Sequence, residues 1–136
     1  MTYRPLLYYQ TGVAVSDTLT GIFLLFAPVF TLRMMHIAVP DSAVVFISWI
    51  GAFVVSVGIA CVYGTRLMTG KGCTNRLETI WLLTAVSRGI VAIFLLASIM
   101  TGHLAPAWLT VAVFDGGCAL FQTIGLRREW LKHAVC

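Results

Sequence analysis

Charge is what this sequence has least of. Asp, Glu, Lys and Arg make up 10% of its 136 residues, while 60% are hydrophobic. Soluble domains carry roughly 25% charged and about 45–50% apolar residues. The mean hydropathy of +0.95 points the same way, away from a solvated globular domain and towards an all-α, polytopic membrane protein. The length suits one integral membrane domain over residues 1–136. Catalytic signatures are also missing. There is no phosphate loop, nucleophile elbow, HExxH or dinucleotide fingerprint, so nothing requires an enzyme. Of the cysteines, Cys61, Cys73, Cys118 and Cys136, none forms CxxC, and no Cys–His spacing suggests zinc. Cys61 and Cys118 fall inside apolar stretches, where cysteine behaves as a small apolar residue. Cys73 and Cys136 fall on the side assigned below to the cytoplasm, where thiols stay reduced. A cleaved signal peptide is not expected, because Arg4 alone precedes the first apolar run and Asp17 interrupts it.

What is present is four apolar stretches, at about 11–32, 42–64, 78–100 and 107–126, each long enough for a transmembrane helix of about 20 residues. They predict a four-helix transmembrane bundle, up-down-up-down. Met1 to Gln10 reads as an amphipathic lead-in with interfacial tyrosines, and Pro28 as a kink within the first helix. Thr65 to Leu77 reads as a polar loop. The segment Arg127 to His133 reads as an interfacial helix end, basic on one side with Trp130 on the other. Trp81 and Trp108, near the starts of the third and fourth helices, read as belt residues.

The net charge of +4 does not indicate nucleic acid, because the basic residues flank the apolar stretches as topology signals and anionic-lipid contacts do. Arg4, Arg66, Lys71, Arg76, Arg127, Arg128 and Lys132 lie on one side and Arg33 on the other. This imbalance predicts a multi-pass protein of the inner (cytoplasmic) membrane with both termini in the cytoplasm.

The third and fourth stretches each hold one full charge near their middles, Arg88 and Asp115. The short connection Met100 to Pro106 makes these helices antiparallel, and at ~1.5 Å per residue both charges reach mid-depth. A bare charge there costs several kcal/mol, so an intramembrane ion pair is expected. The echo of Ile22 to Leu25 in Ile93 to Leu96 sets Asp17 level with Arg88, so Asp17 is a candidate third member. Such a group is either a structural pin, with Ser16, Thr18, Ser87 and Gln122 adding hydrogen bonds, or a ligand- or proton-handling site with coupled titration.

Small residues supply the packing candidates. Ser48, Ala52, Ser56, Ala60 and Gly64 recur every fourth residue, and Gly116, with Ala112, Gly117 and Ala119, flanks Asp115. Such stripes let membrane helices approach closely. The alternative beside Asp115 is a crevice for a lipid, a quinone or a pigment tail. His36 and His103, at the same side of the membrane, are candidate haem or (bacterio)chlorophyll ligands against a plain interfacial role. Met34-Met35-His36 raises copper, but no second Met cluster accompanies it, and no metal is assigned. Glu78 offsets a helix dipole in a first turn.

Gly21 to Pro28 (Ile-Phe-Leu-Leu-Phe-Ala between them), Trp49 to Phe53, Ser87-Arg88-Gly89 and Phe114-Asp115-Gly116 together resemble the small DoxX-like four-helix membrane proteins, in outline over the four stretches. The resemblance implies the four-helix architecture and the company of quinone-linked oxidoreductases, and it implies no catalytic residue. The expected function is that of a non-catalytic accessory subunit of a larger membrane complex, respiratory or photosynthetic. Its expected partners are membrane lipids and larger membrane subunits. The competing expectation is a protein that binds a quinone-type ligand, with Asp17, Arg88 and Asp115 handling protons.

Overall fold

The computed structural model describes residues 3–70 and 74–135; for residues 74 and 133–135 only the backbone is described. Lys71, Cys73 and Cys136 lie outside the described residues, as does the side chain of His133. The described chain is all helical: α1 (Tyr3–Phe26), α2 (Pro28–Met34), α3 (Val44–Thr69), α4 (Thr74–Met100), α5 (Leu109–Arg127) and α6 (Trp130–Val135). Single 3-10 turns, Asp41–Ala43 and Pro106–Trp108, lead into α3 and α5. The helices group into two compact units that divide between α3 and α4.

Among the described residues three segments are long and apolar enough to cross a membrane: Asp41–Thr69, Asn75–Met100 and Pro106–Arg127. Only 22–28% of each apolar window is buried inside the protein. Side chains such as Trp49, Ile59, Ile93, Phe94, Val113 and Leu120 stand more than half exposed. An apolar surface on this scale is not one a soluble monomer leaves in water, so these helices point to a multi-pass membrane protein.

The first helix departs from its expected course. It begins at Tyr3, so the supposed lead-in forms its first turns, with Leu6 and Gln10 fully buried. It ends at Phe26, because Ala27 leaves helical geometry (φ −137°, ψ 54°) and Pro28 starts α2. Proline has no N–H to continue the ladder and suits a first helical turn. The break shortens the greasy half of α1. Gln10 and Asp17 make its remainder polar, and α1, although 24 residues long, is not among the three helices apolar enough to cross a membrane. The polar connection is also shorter than expected. Thr65, Arg66 and Thr69 continue α3 and Asn75 and Arg76 lie in the first turns of α4, since polar side chains do not by themselves stop a helix.

In the first unit α1 and α3 are antiparallel. Tyr3 donates its hydroxyl to the Met68 carbonyl (2.9 Å), and the Gln10 side-chain amide donates to the Cys61 carbonyl (2.8 Å). The backbones meet at three glycines. A methyl group added at Gly21 would lie 2.5 Å from the Val55 nitrogen. At Gly51 it would lie 2.5 Å from the Leu25 nitrogen, and at Gly58 2.7 Å from the Thr18 nitrogen.

In the second unit α4 and α5 pack face to face and α6 folds back over their end. Trp81 is not a belt residue: it is 0% exposed and packs on Gly125, where an added methyl would sit 2.6 Å from its ring. Trp130 turns inward too, edge-on to Phe121 with centroids 5.4 Å apart, and Leu131 beside it is buried. The tail thus folds over the end of the hairpin, with Trp130 towards Phe121 and Arg127, Arg128 and Lys132 exposed. Outside the apolar stretch, Lys132 donates to Glu129 (2.7 Å), which raises the lysine's pKa above its ordinary value.

Candidate functional site: the buried polar layer of the second hairpin

The buried face of α4 runs through Leu77, Trp81, Thr84, Ala85, Arg88, Ala92 and Leu95. These are steps of three and four residues, one stripe of a helix with 3.6 residues per turn. Arg88 falls in the middle of this stripe. The facing residues of α5 are Ala112, Asp115, Cys118, Ala119, Gln122 and Gly125, with Asp115 half-buried. Gly89 and Ala92 on α4 lie against Ala119 and Gly116 on α5, with side-chain positions 4.0 and 3.5 Å apart. Gly116 therefore sits in an ordinary contact that keeps the helices close beside the charges, whereas Gly117 is exposed with nothing near it.

Arg88 Nη1 donates to Asp115 Oδ1 at 2.7 Å, and the Arg88 side chain is 4% exposed. The guanidinium also lies 5.8 Å from the centre of the Phe114 ring, within reach of a cation–π attraction. One turn towards the α6 end, Gln122 Nε2 donates to Thr84 Oγ1 (3.0 Å), and Thr84 donates to the Ile80 carbonyl (2.8 Å). Two polar links, one ionic and one neutral, thus tie α4 to α5 at successive levels. The second was not foreseen in this form: Gln122 bonds Thr84 and not the ion pair. A signal for it exists in the sequence, because Thr84 is four residues before Arg88 and Gln122 seven after Asp115, on the same helix faces. Of the other proposed helpers, Ser16 and Ser87 are exposed, and Thr18 donates to the Ala14 carbonyl in its own helix.

Asp17 is on α1, in the first hairpin, and is 6% exposed. It shares a face with Gln10 and Gly21. The every-fourth stripe of α3 does not coincide with the closest contacts. Gly64 is buried, Ser48, Ala52 and Ala60 are half-buried, and Ser56 is exposed, while the backbones touch at Gly51 and Gly58. Four residues turn a helix by about 400°, so such a row drifts about 40° per step and winds off a straight contact face.

His36 and His103 belong to different hairpins and both are exposed. His36 adopts φ 59°, and the bonds Ile37 N to Leu32 O (2.9 Å) and His36 N to Arg33 O (3.0 Å) close the end of α2 around it. This is a Schellman-type termination, so helix ending accounts for its backbone. His103 follows the same kind of stop at Gly102 (φ 77°), and its Nδ1 is 2.7 Å from Thr101 Oγ1. Among the described residues no three His, Cys, Asp or Glu side chains cluster as a metal site would need.

No family model, no curated protein and no solved structure matches the chain.

Proposed function

We propose that this chain is a non-catalytic accessory subunit of a larger membrane protein complex, an electron-transfer assembly of the inner membrane. In this reading α1 with α2, α3, α4 and α5 make four crossings of one four-helix bundle with both termini cytoplasmic. The observation that carries it is how the buried polar groups are used. Arg88 with Asp115 and Thr84 with Gln122 each bond across α4 and α5, and Arg88, Thr84 and Gln122 are buried. Arginine keeps its charge in proteins, so a proton arriving at Asp115 would remove the negative end of this bond. A pin that fixes register suits this chemistry better than a proton relay. The large exposed apolar faces supply surface for partner helices and lipids, and the DoxX-like resemblance agrees with redox company.

A quinone-binding protein is the second reading. It is favoured by Gln122, which is 0% exposed and whose Oε1 accepts no hydrogen bond, an acceptor that the hydroxyl of a reduced, quinol-form ligand would satisfy.

Purification of the tagged protein in mild detergent separates the two. Co-purifying chains are identified by mass spectrometry and an absorption spectrum is taken of the same sample. The accessory-subunit reading expects a stoichiometric set of larger membrane subunits that account for all bound cofactors. A lone or homo-oligomeric bundle carrying a quinone, haem or pigment would overturn it.

A further inference from the structure

We propose that the cleft between α1 and α3, at the end of the hairpin where α1 begins, is a binding site for one anionic phospholipid, with an acyl chain in the cleft and the phosphate held by Arg4 and Arg66. The cleft measures about 220 Å³. Ala14, Val15 and Val62 wall it with apolar surface, and Thr65, Arg66 and Thr69 line its outer end. Thr65 and Thr69 donate their hydroxyl hydrogens to carbonyls of their own helix, so they have no hydrogen to offer a phosphate. Arg66, which is exposed, is the anion-binding group in the lining.

A second arginine is placed beside it by the register. The Tyr3–Met68 and Gln10–Cys61 bonds set residue 4 opposite about residue 67 of the antiparallel partner. Arg4, Tyr8, Thr11 and Val15 follow one another at steps of three and four, so Arg4 shares the helix face that lines the cleft. Both arginines are exposed, as is Tyr8 at 75%, an arrangement suited to a headgroup layer. Among the described residues of this hairpin no carboxylate competes. The acids of this hairpin are Asp17, which is buried, and Asp41, which lies at the opposite end of α3. A second cleft, about 400 Å³ at the end of α2, is lined by both Arg33 and Asp41 and offers an anion no such net attraction. An apolar slot leading to paired cations, with no competing acid on its own hairpin, is complementary to a lipid with an anionic head and a hydrocarbon tail.

This inference rests on the membrane-embedded reading above. That reading would fail separately, by recovery of the expressed chain in the soluble fraction without detergent. For a detergent-solubilised protein, native mass spectrometry of the full chain with added phosphatidylglycerol or phosphatidylcholine tests the lipid site. The wild type should retain one phosphatidylglycerol in clear preference. Each of Arg4→Gln and Arg66→Gln should lower its occupancy about fivefold, given the usual attraction of one basic residue to an anionic surface. Val62→Trp, which fills the slot, should lower retention of both lipids. Equal retention of the two lipids by the wild type would overturn the proposal. So would a preference that survives Arg4→Gln with Arg66→Gln, or one abolished instead by Arg127→Gln with Arg128→Gln on the other hairpin.

Discussion

The guanidinium of Arg88 reaches Asp115 across 2.7 Å and ties the centre of α4 to α5. Around it the hairpin is built of small residues, Gly89, Ala92, Gly116 and Ala119, which bring the helices close enough for the two side chains to meet. The neutral bond between Thr84 and Gln122 repeats the link one turn along. These two links differ in what each would cost to remove, and that difference makes the account testable.

Gln122→Met should be mild. Thr84 keeps its bond to the Ile80 carbonyl, and the substitution also removes the unbonded Oε1. Interhelical hydrogen bonds in membranes average about 0.6 kcal/mol, so a loss no greater than that is expected from thermal or denaturant unfolding in detergent. Loss of the folded protein would show that Gln122 does more than bridge two helices.

Gly58→Leu should disrupt the first hairpin, because even a methyl there would meet the Thr18 backbone nitrogen at 2.7 Å. Overpacking of this kind costs typically about 1–3 kcal/mol, and contact with backbone leaves little room to relax. Ser56→Leu, on an exposed position, should be silent. Comparing the two by size-exclusion chromatography after heating checks the contact face directly. The reverse ranking would restore the every-fourth stripe as the packing line.

Gly125→Val should expel Trp81 from its seat and disturb Trp130, whose ring an added methyl would approach to 3.0 Å. A red-shifted tryptophan emission with a stability loss of about 1–3 kcal/mol is expected. An unchanged spectrum would mean that α6 does not cap the hairpin.

Single cysteines at exposed positions test the orientation. In a background with Cys73 and Cys136 replaced by serine, Ser42→Cys and Thr101→Cys should react with an impermeant maleimide in intact spheroplasts. Asn75→Cys should react only after permeabilisation. Labelling of Asn75→Cys from outside would reverse the topology that the basic residues indicate.

Part of this was legible in the sequence because membranes make charges conspicuous. Arg88 and Asp115 stand out in apolar runs and their helices are joined by a short turn, so residue counting alone sets them level. Trp81 shows what counting misses. Its place near a helix start looks interfacial, and only the pairing of α4 with α5 brings Gly125 opposite it. Likewise, Pro28 announces a disturbance but not its form, since a kink and a restart of the helix differ only in the torsion angles of Ala27. Gln10 looked like part of a lead-in because its partner, the Cys61 carbonyl, lies 51 residues away and backbone acceptors leave no trace in composition.

The most direct test of the central claim is charge reversal at the pin. Arg88→Asp and Asp115→Arg should each destabilise the protein by about 3–5 kcal/mol, as removal of one partner from a buried pair does, and, on the proposed function, deplete it from the complex it would join. The double variant carrying both changes should recover assembly and turnover together, because a structural pair works in either direction. Recovery of assembly without turnover would contradict the account and assign the two charges to a reaction.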